Sequence, residues 1–126
     1  MDNNLYLTTA EERLAGLIWE NAPLTSPELV EMAFQALEWK KSTTYTVLKK
    51  LCDKGVFKNE NAVVVVVLTP EELLARQSRR YVDDAFGGSL PQFVTSFIGG
   101  GKRLTADEAA ALKRLIAEHE EGEADE

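Results

Sequence analysis

The segment from residue 39 to residue 55 constrains the fold most, because its pattern is that of a short helix with one apolar and one basic side. Its apolar residues recur at helical spacing and predict a stripe packed against a core: Val47, Leu48 and Leu51. Ser42 is the expected N-cap, and Gly55 is the residue type that most often follows a helix C-terminus. The sequence therefore predicts a helix over residues 42–54.

The outward side of this helix carries a local excess of positive charge. Residues 39–58 contain six lysines and one acid, Asp53, which gives a local charge of +5 in a chain whose net charge is −7. Lysines near phosphates release condensed counterions, and short hydroxyl or aromatic side chains can reach base edges, so a DNA partner explains the contrast. A solvated, lysine-rich surface is the alternative that charge alone leaves open.

The candidate DNA-binding residues of this segment fall into three groups. The predicted phosphate contacts are Lys41, Lys49 and Lys50. The predicted groove contacts are Thr43, Tyr45 and Thr46. An aromatic residue can also pack on the protein itself, which is the alternative for Tyr45. Ser42 is first a helix cap, and its hydroxyl could also reach DNA.

Two further helices are expected before the basic segment. The first runs over residues 9–21, with Thr8 or Thr9 as its cap. The second opens at Ser26-Pro27, with the serine as cap and the proline at the first helical position. Four residues are predicted to form its inner face: Leu29, Ala33, Ala36 and Leu37.

A β-hairpin is expected after the basic segment. A strand at residues 55–58, a turn at 59–62 and a strand at 63–68 follow from the turn residues and from five consecutive valines of high β-propensity. The valine run indicates a strand buried on both faces, or a wing that lies against another surface. Three helices followed by a hairpin is the order of a winged helix-turn-helix domain, in which the third helix enters the major groove.

The C-terminal part is predicted to hold three amphipathic helices. They cover residues 69–86, residues 90–98 and a segment that starts at Thr105, with glycines between them. These helices are too small for a core of their own, so we expect a dimerisation arm that pairs with a second copy; folding back on the same chain is the alternative. The fold class is thus mainly α, with residues 1–70 as a DNA-binding domain and 71–126 as a dimerisation region that ends in a disordered acidic tail.

Several classes of protein are disfavoured by composition. A single Cys52 and a single His119 leave neither an internal disulfide nor a cysteine or histidine ligand set for a metal. No catalytic or cofactor-binding motif is present, so we expect a protein that is not an enzyme and that has no cofactor and no catalytic residues. No signal peptide or membrane-spanning run is visible, and a cytoplasmic location without membrane contact is expected.

The chain resembles the penicillinase and methicillin-resistance repressor family (BlaI/MecI type). The resemblance rests on Thr9-Ala10-Glu11, Ile18-Trp19 and the block from Thr43 to Gly55, which is similar to the signature T-x-x-T-x-L-x-R-L-x-x-K-G. It implies a homodimeric winged-helix repressor that binds inverted-repeat operators, often of antibiotic-resistance genes. It also implies release through a sensor protease, and the matching bond here is Ser96–Phe97.

This sequence departs from the family pattern in four places. Ser96 stands where members usually have Asn, and Lys50 replaces the signature arginine. Val63-Val64 occupies the wing position usually held by Gly-Arg, and the cysteine pairs of the copper-responsive branch are absent. The acidic net charge and the missing wing cation favour an alternative function, a winged-helix protein-interaction module that no longer binds DNA.

Overall fold

The computed structural model of the chain describes residues 5–101 and 103–121. Its elements follow the order α1 (Thr9–Asn21), β1 (Leu24–Thr25), α2 (Ser26–Leu37), α3 (Lys41–Asp53), β2 (Phe57–Glu60), β3 (Val63–Val66), α4 (Pro70–Phe86), α5 (Leu90–Gly99) and α6 (Ala106–His119). This order confirms the predicted mainly α fold with a winged helix-turn-helix. The chain forms two compact units, residues 1–81 and 82–126. The predicted disorder of residues 122–126 lies outside the described residues.

Reciprocal capping bonds set the starts of most helices. In α1, Thr8 accepts from the Glu11 amide while the Glu11 carboxylate accepts from the Thr8 amide. The same arrangement opens α2, α4 and α6, at Thr25, Thr69 and Thr105 respectively. The prediction that Ser26 caps α2 was wrong, because Thr25 already satisfies the first-turn amide and Ser26 lies buried one residue inside the helix.

The start of α3 also differs from the prediction. The amide of Thr44 donates to the carbonyl oxygen of Lys40 at 3.1 Å, so Lys40 is the N-cap and Ser42 lies in the first turn. Ser42 therefore does not cap the helix. At the other end, Gly55 has φ +84° and ends α3 as predicted.

The core of the first unit lies between α1, α2, α3 and the sheet. It includes all three predicted apolar residues of α3 and the predicted Leu29 and Ala33 of α2, together with Leu14, Ile18, Phe57 and Val64. Ala36, which was assigned to the inner face of α2, is exposed. That assignment was wrong for Ala36, whereas the predicted Leu37, the last residue of α2, is half-buried against the core.

The three strands form an antiparallel sheet in the order β1-β3-β2. Asn61 and Ala62 form the hairpin turn with φ values of 52° and 64°, so the predicted turn was too long and Asn59 and Glu60 belong to β2. Val64 faces the core, but Val63, Val66 and Val67 are each more than a third exposed. The prediction of a strand buried on both faces was wrong: Val63 lies on the face opposite Val64 and is exposed, and Val66, on the same face as Val64, is exposed at the end of β3.

The second unit contains the end of α4 and the helices α5 and α6. Gly87 and Gly88, with φ +59° and +85°, end α4, and Ser89 then caps α5 by accepting from the Gln92 amide. Apolar side chains of both helices remain exposed: Leu90, Val94, Phe97, Ile98, Leu112, Leu115 and Ile116. Among the described residues, no helix is both long enough and apolar enough to cross a membrane.

Candidate nucleic-acid interface

The buried residues of α3 all lie on one side, and they determine which side of the helix is exposed to solvent. Four side chains hold it against α1 and α2: Thr44, Val47, Leu48 and Leu51. Its C-terminus is closed by two bonds, from the Gly55 amide to the Cys52 carbonyl oxygen at 2.9 Å and from the Val56 amide to the Leu51 carbonyl oxygen at 3.1 Å. These two bonds require the left-handed backbone conformation of Gly55, and they fix the C-terminus of α3 just before β2 begins.

The exposed side of α3 brings together most of the predicted site residues. Six of them are exposed: Lys41, Ser42, Thr43, Thr46, Lys49 and Lys50. Ser42, Thr46 and Lys50 follow one another at intervals of four, and Thr43 precedes Thr46 by three, so these residues form one stripe along the helix. We call Ser42, Thr43, Thr46 and Lys50 the polar stripe.

Tyr45 is placed differently from the other predicted residues. Its ring is half-buried against the core, and its hydroxyl lies 3.4 Å from the Ser26 hydroxyl oxygen at the start of α2. This places at least part of its side chain in packing between α2 and α3. A groove contact by Tyr45 stays a prediction, with less of the side chain available than the sequence indicated.

The positive charge around α3 is smaller than the sequence count. Lys49 pairs with Asp53 at 3.3 Å, Lys58 with Glu60 at 3.4 Å, and Lys54 with Glu11 at 2.6 Å. Glu11 and Glu60 lie outside the counted segment, and including them lowers +5 by 2 to +3. Within the described part of the chain, three of the six lysines have no acid within 4 Å: Lys40, Lys41 and Lys50.

The Lys54–Glu11 pair was missed by the sequence reasoning. The two side chains are only 14% and 4% exposed, and the Lys54 ammonium also donates to the Tyr6 carbonyl oxygen at 2.9 Å. Burial pushes the pKa of the Glu11 carboxyl upward, but hydrogen bonds from Lys54 and the Thr8 amide outweigh it, so the pKa lies below its ordinary value. Because 43 positions separate the partners, no local spacing could predict the pair.

The first turn of α3 adds an anion-binding feature to this surface. Lys40 makes no side-chain capping bond to the described residues, and the amides of residues 41–43 have no carbonyl of a preceding turn to bond. Two of the unpaired lysines, Lys40 and Lys41, lie at this end. Free amides and nearby cations are the usual environment of a phosphate at a helix N-terminus.

Other reactive groups near α3 give no sign of separate chemistry. Cys52 is half-buried, and burial followed by the neighbouring Asp53 charge raises the pKa of its thiol, which makes it a poor nucleophile. In the described residues, no group of three or more His, Cys, Asp or Glu side chains could hold a metal ion.

The sequence model of the penicillinase repressor family matches residues 7–118, which include α3, the wing and most of α6. The chain belongs to the penicillinase repressor family. No curated protein sequence matches it. The family match supports a role in transcriptional repression, and it extends over most of both compact units.

The candidate cleavage bond lies inside a helix. Ser96 and Phe97 both belong to α5 and both are exposed, with Phe97 60% exposed. α5 is short; glycines precede it at residues 87–88, Gly99 is its last residue, and two more glycines follow at residues 100–101. The two predicted residues are therefore reachable from solvent but not in the extended conformation of a free loop.

Proposed function

We propose that this penicillinase repressor family member is a sequence-specific repressor that binds an inverted-repeat DNA operator as a homodimer, with α3 in the major groove. The observation that carries the proposal is the division of α3 into a buried apolar side and the exposed polar stripe. A recognition helix needs this division, because base edges are read by side chains that are free of the core.

The residues of α3 then have distinct tasks. Ser42, Thr43 and Thr46 present short hydroxyl side chains that can donate to or accept from base edges. Lys41 and Lys50 neutralise phosphates, and the free amides of the first turn add a further phosphate contact. Lys49 can join them only by exchanging its exposed bond with Asp53, which costs little.

The second unit would supply the dimer contact. Its exposed apolar side chains on α5 and α6 include Phe97, Leu115 and Ile116, each more than half exposed. A second copy that covers them would bury apolar area and place two α3 helices about a twofold axis. An inverted repeat is the DNA counterpart of that symmetry.

Release by a sensor protease belongs to the same proposal. Cleavage at Ser96–Phe97 would separate α6 from the DNA-binding domain and so remove part of the dimer contact. A protease needs an extended substrate, so the last turns of α5 would have to open first. Gly99, the last residue of α5, favours such local opening at that end, because glycine gains more backbone freedom than other residues when a helix unfolds.

Selection from randomised duplexes followed by a salt titration tests DNA binding. A duplex selected with the full chain should bind wild type with a steep loss of affinity as salt rises. Lys50→Ala should weaken binding to all duplexes and reduce the slope of log K against log salt by about 1 per protomer. Lys113→Ala, at an exposed position of α6, is the matched control and should leave the slope unchanged.

Failure to bind DNA would support the second candidate function, a winged-helix protein-interaction module. The exposed Val63, Val66 and Val67 and the acid-paired Lys58 favour a wing that contacts protein rather than phosphate. If the chain selects no duplex at low salt while remaining folded, DNA binding is refuted and the protein-interaction module becomes the better account. If wild type and Lys50→Ala lose affinity with salt equally, the phosphate role of Lys50 is wrong.

A further inference from the structure

The outer side of α2 carries an aromatic residue between two acids. Phe34 is 59% exposed. Glu31 lies three residues before it and Glu38 four residues after it, so all three share one side of the helix. Glu31 accepts from the Gln35 side-chain amide at 2.9 Å, and neither acid has a cation within 4 Å in the described part of the chain. We call Glu31, Phe34 and Glu38 the acidic stripe.

A groove of the opposite charge lies between the segment that follows β3 and the first three turns of α4. Its volume is about 360 Å³, and it is lined by Val67, Leu68, Glu72, Ala75, Arg76 and Arg79. We call it the arginine groove. Neither arginine has an acid within 4 Å among residues 5–101 and 103–121. The Glu72 carboxylate is engaged at the start of α4, where it accepts from the Thr69 amide at 3.0 Å.

The acidic stripe and the arginine groove are complementary in size and charge. A cavity of about 150 Å³ can hold a benzene ring, so the groove has room for the ring of Phe34. Glu31 and Glu38 lie about 10 Å apart along the axis of α2, on either side of that ring, within reach of two long arginine side chains. A bare phosphate would match the arginines but would gain nothing from the apolar half of the lining.

We propose that the acidic stripe of one copy of this chain docks into the arginine groove of a second copy. Phe34 is not among the residues that line the groove, so a chain does not fill its own groove. Both surfaces belong to the first unit, so neither DNA nor the contact proposed for the second unit is involved. Because the two surfaces differ, the contact is heterologous, and each copy keeps one stripe or one groove for a further copy. First units would therefore join head to tail.

Sedimentation equilibrium of the full chain at low salt tests this docking. Protein concentrations up to about 1 mM are needed, because so small a contact belongs to the weak class of interfaces. The average mass of wild type should keep rising with concentration, and high salt should reduce the rise. Phe34→Ala should lower the head-to-tail association constant about tenfold, because it removes the aromatic anchor.

Charge reversal tests the pairing of the two surfaces. Glu31→Arg with Glu38→Arg should lower the association constant about tenfold or more, since like charges would then face each other. Arg76→Glu with Arg79→Glu should do the same. A variant with all four substitutions has opposite charges again and the wild-type net charge, so its association constant should recover to within about threefold of wild type.

The matched control reverses two acids elsewhere on the first unit. Glu12→Arg with Glu20→Arg, at exposed positions of α1, changes the net charge by the same amount as reversal of the acidic stripe. This control should leave the association constant unchanged. Circular dichroism would show that every variant remains folded, as expected for substitutions at exposed positions.

Each outcome supports or overturns the docking. Association that either reversal weakens and the fourfold variant recovers would support it. An average mass of wild type that stops rising at a monomer or a single dimer would overturn it. Loss in both reversals without recovery in the fourfold variant would also overturn it, because the two surfaces would then not face each other. An equal loss in the α1 control would assign the effect to net charge and would overturn it as well. None of these measurements involves DNA, so the proposed function is tested separately.

Discussion

Removing Lys54 should destabilise the protein far more than removing another lysine of the same surface. The ammonium of Lys54 lies 2.6 Å from a Glu11 oxygen, and both side chains are almost completely enclosed. Replacing Lys54 by methionine keeps much of the side-chain volume but leaves the Glu11 carboxylate buried without its cation. The Tyr6 carbonyl oxygen loses a donor at the same time.

The size of the expected loss in the free energy of unfolding follows from the burial of the Lys54–Glu11 pair. Breaking a buried ion pair by removing one partner typically costs about 3–5 kcal/mol, since the remaining charge stays desolvated. Glu11 retains its bond from the Thr8 amide, which offsets part of that loss. We therefore expect Lys54→Met to lower the free energy of unfolding by about 3 kcal/mol at neutral pH, a large share of the roughly 5–15 kcal/mol of a typical domain.

The pH dependence gives the prediction a second readout. Because the pKa of Glu11 is lowered in the folded state, the pair stabilises the fold above the ordinary carboxyl pKa, and this stabilisation is lost as the pH falls through the folded-state pKa. The difference between wild type and Lys54→Met should therefore be largest at neutral pH and should shrink in acid. Urea unfolding followed by circular dichroism at several pH values would measure it.

Lys49→Met is the matched control for this experiment. Lys49 also pairs with an acid, at 3.3 Å, but its side chain and that of Asp53 are 76% and 65% exposed. An exposed pair of this kind is worth at most about 0.5 kcal/mol. If Lys54→Met costs no more than Lys49→Met, or if its cost does not fall in acid, the reasoning from burial is wrong.

Three other substitutions test particular contacts. The Thr44 hydroxyl is buried and has no hydrogen-bond partner among residues 5–101 and 103–121, so Thr44→Val should raise the free energy of unfolding by about 1 kcal/mol in urea titrations. A clear decrease in that free energy would contradict the assignment, because it would mean that the hydroxyl makes a stabilising bond. Gly55→Ala should lower the free energy of unfolding by about 1 kcal/mol, because the φ angle of Gly55 is +84°. Gly16→Ala should raise it, because Gly16 lies in a helix with open space at the Cβ position. Equal effects of the two substitutions would refute the argument from backbone conformation. Ile116→Asp should shift sedimentation from dimer to monomer while Ala110→Asp does not, and a dimer that survives Ile116→Asp would place the contact elsewhere.

The sequence predicted the helices well because their signals are local. The pairs Thr8–Glu11 and Thr105–Glu108 lie three residues apart, and each closes a capping box in the structure. The apolar stripe of α3 and the glycine that ends it were likewise correct, since spacing along a helix decides both. Element order then led directly to the winged helix-turn-helix.

Several of the errors and omissions depend on tertiary neighbours. Whether Thr25 or Ser26 caps α2 depends on where the chain leaves β1, and both residues suit the cap equally well. The exposure of Val66 depends on how far the helices cover the sheet. The enclosure of Lys54 depends on Glu11, far away in the sequence, so charge counting treated this lysine as part of the outward surface.

The central claim is that the exposed side of α3 contacts DNA, and backbone amide chemical shifts of the labelled full chain measure that contact most directly. Spectra would be recorded with and without the selected duplex at moderate salt. The account predicts the largest shift changes at the polar stripe, Ser42, Thr43, Thr46 and Lys50, and small changes at the buried Leu48 and Leu51 side of the same helix. Saturable binding that leaves the polar stripe unshifted and perturbs only other surfaces would contradict it.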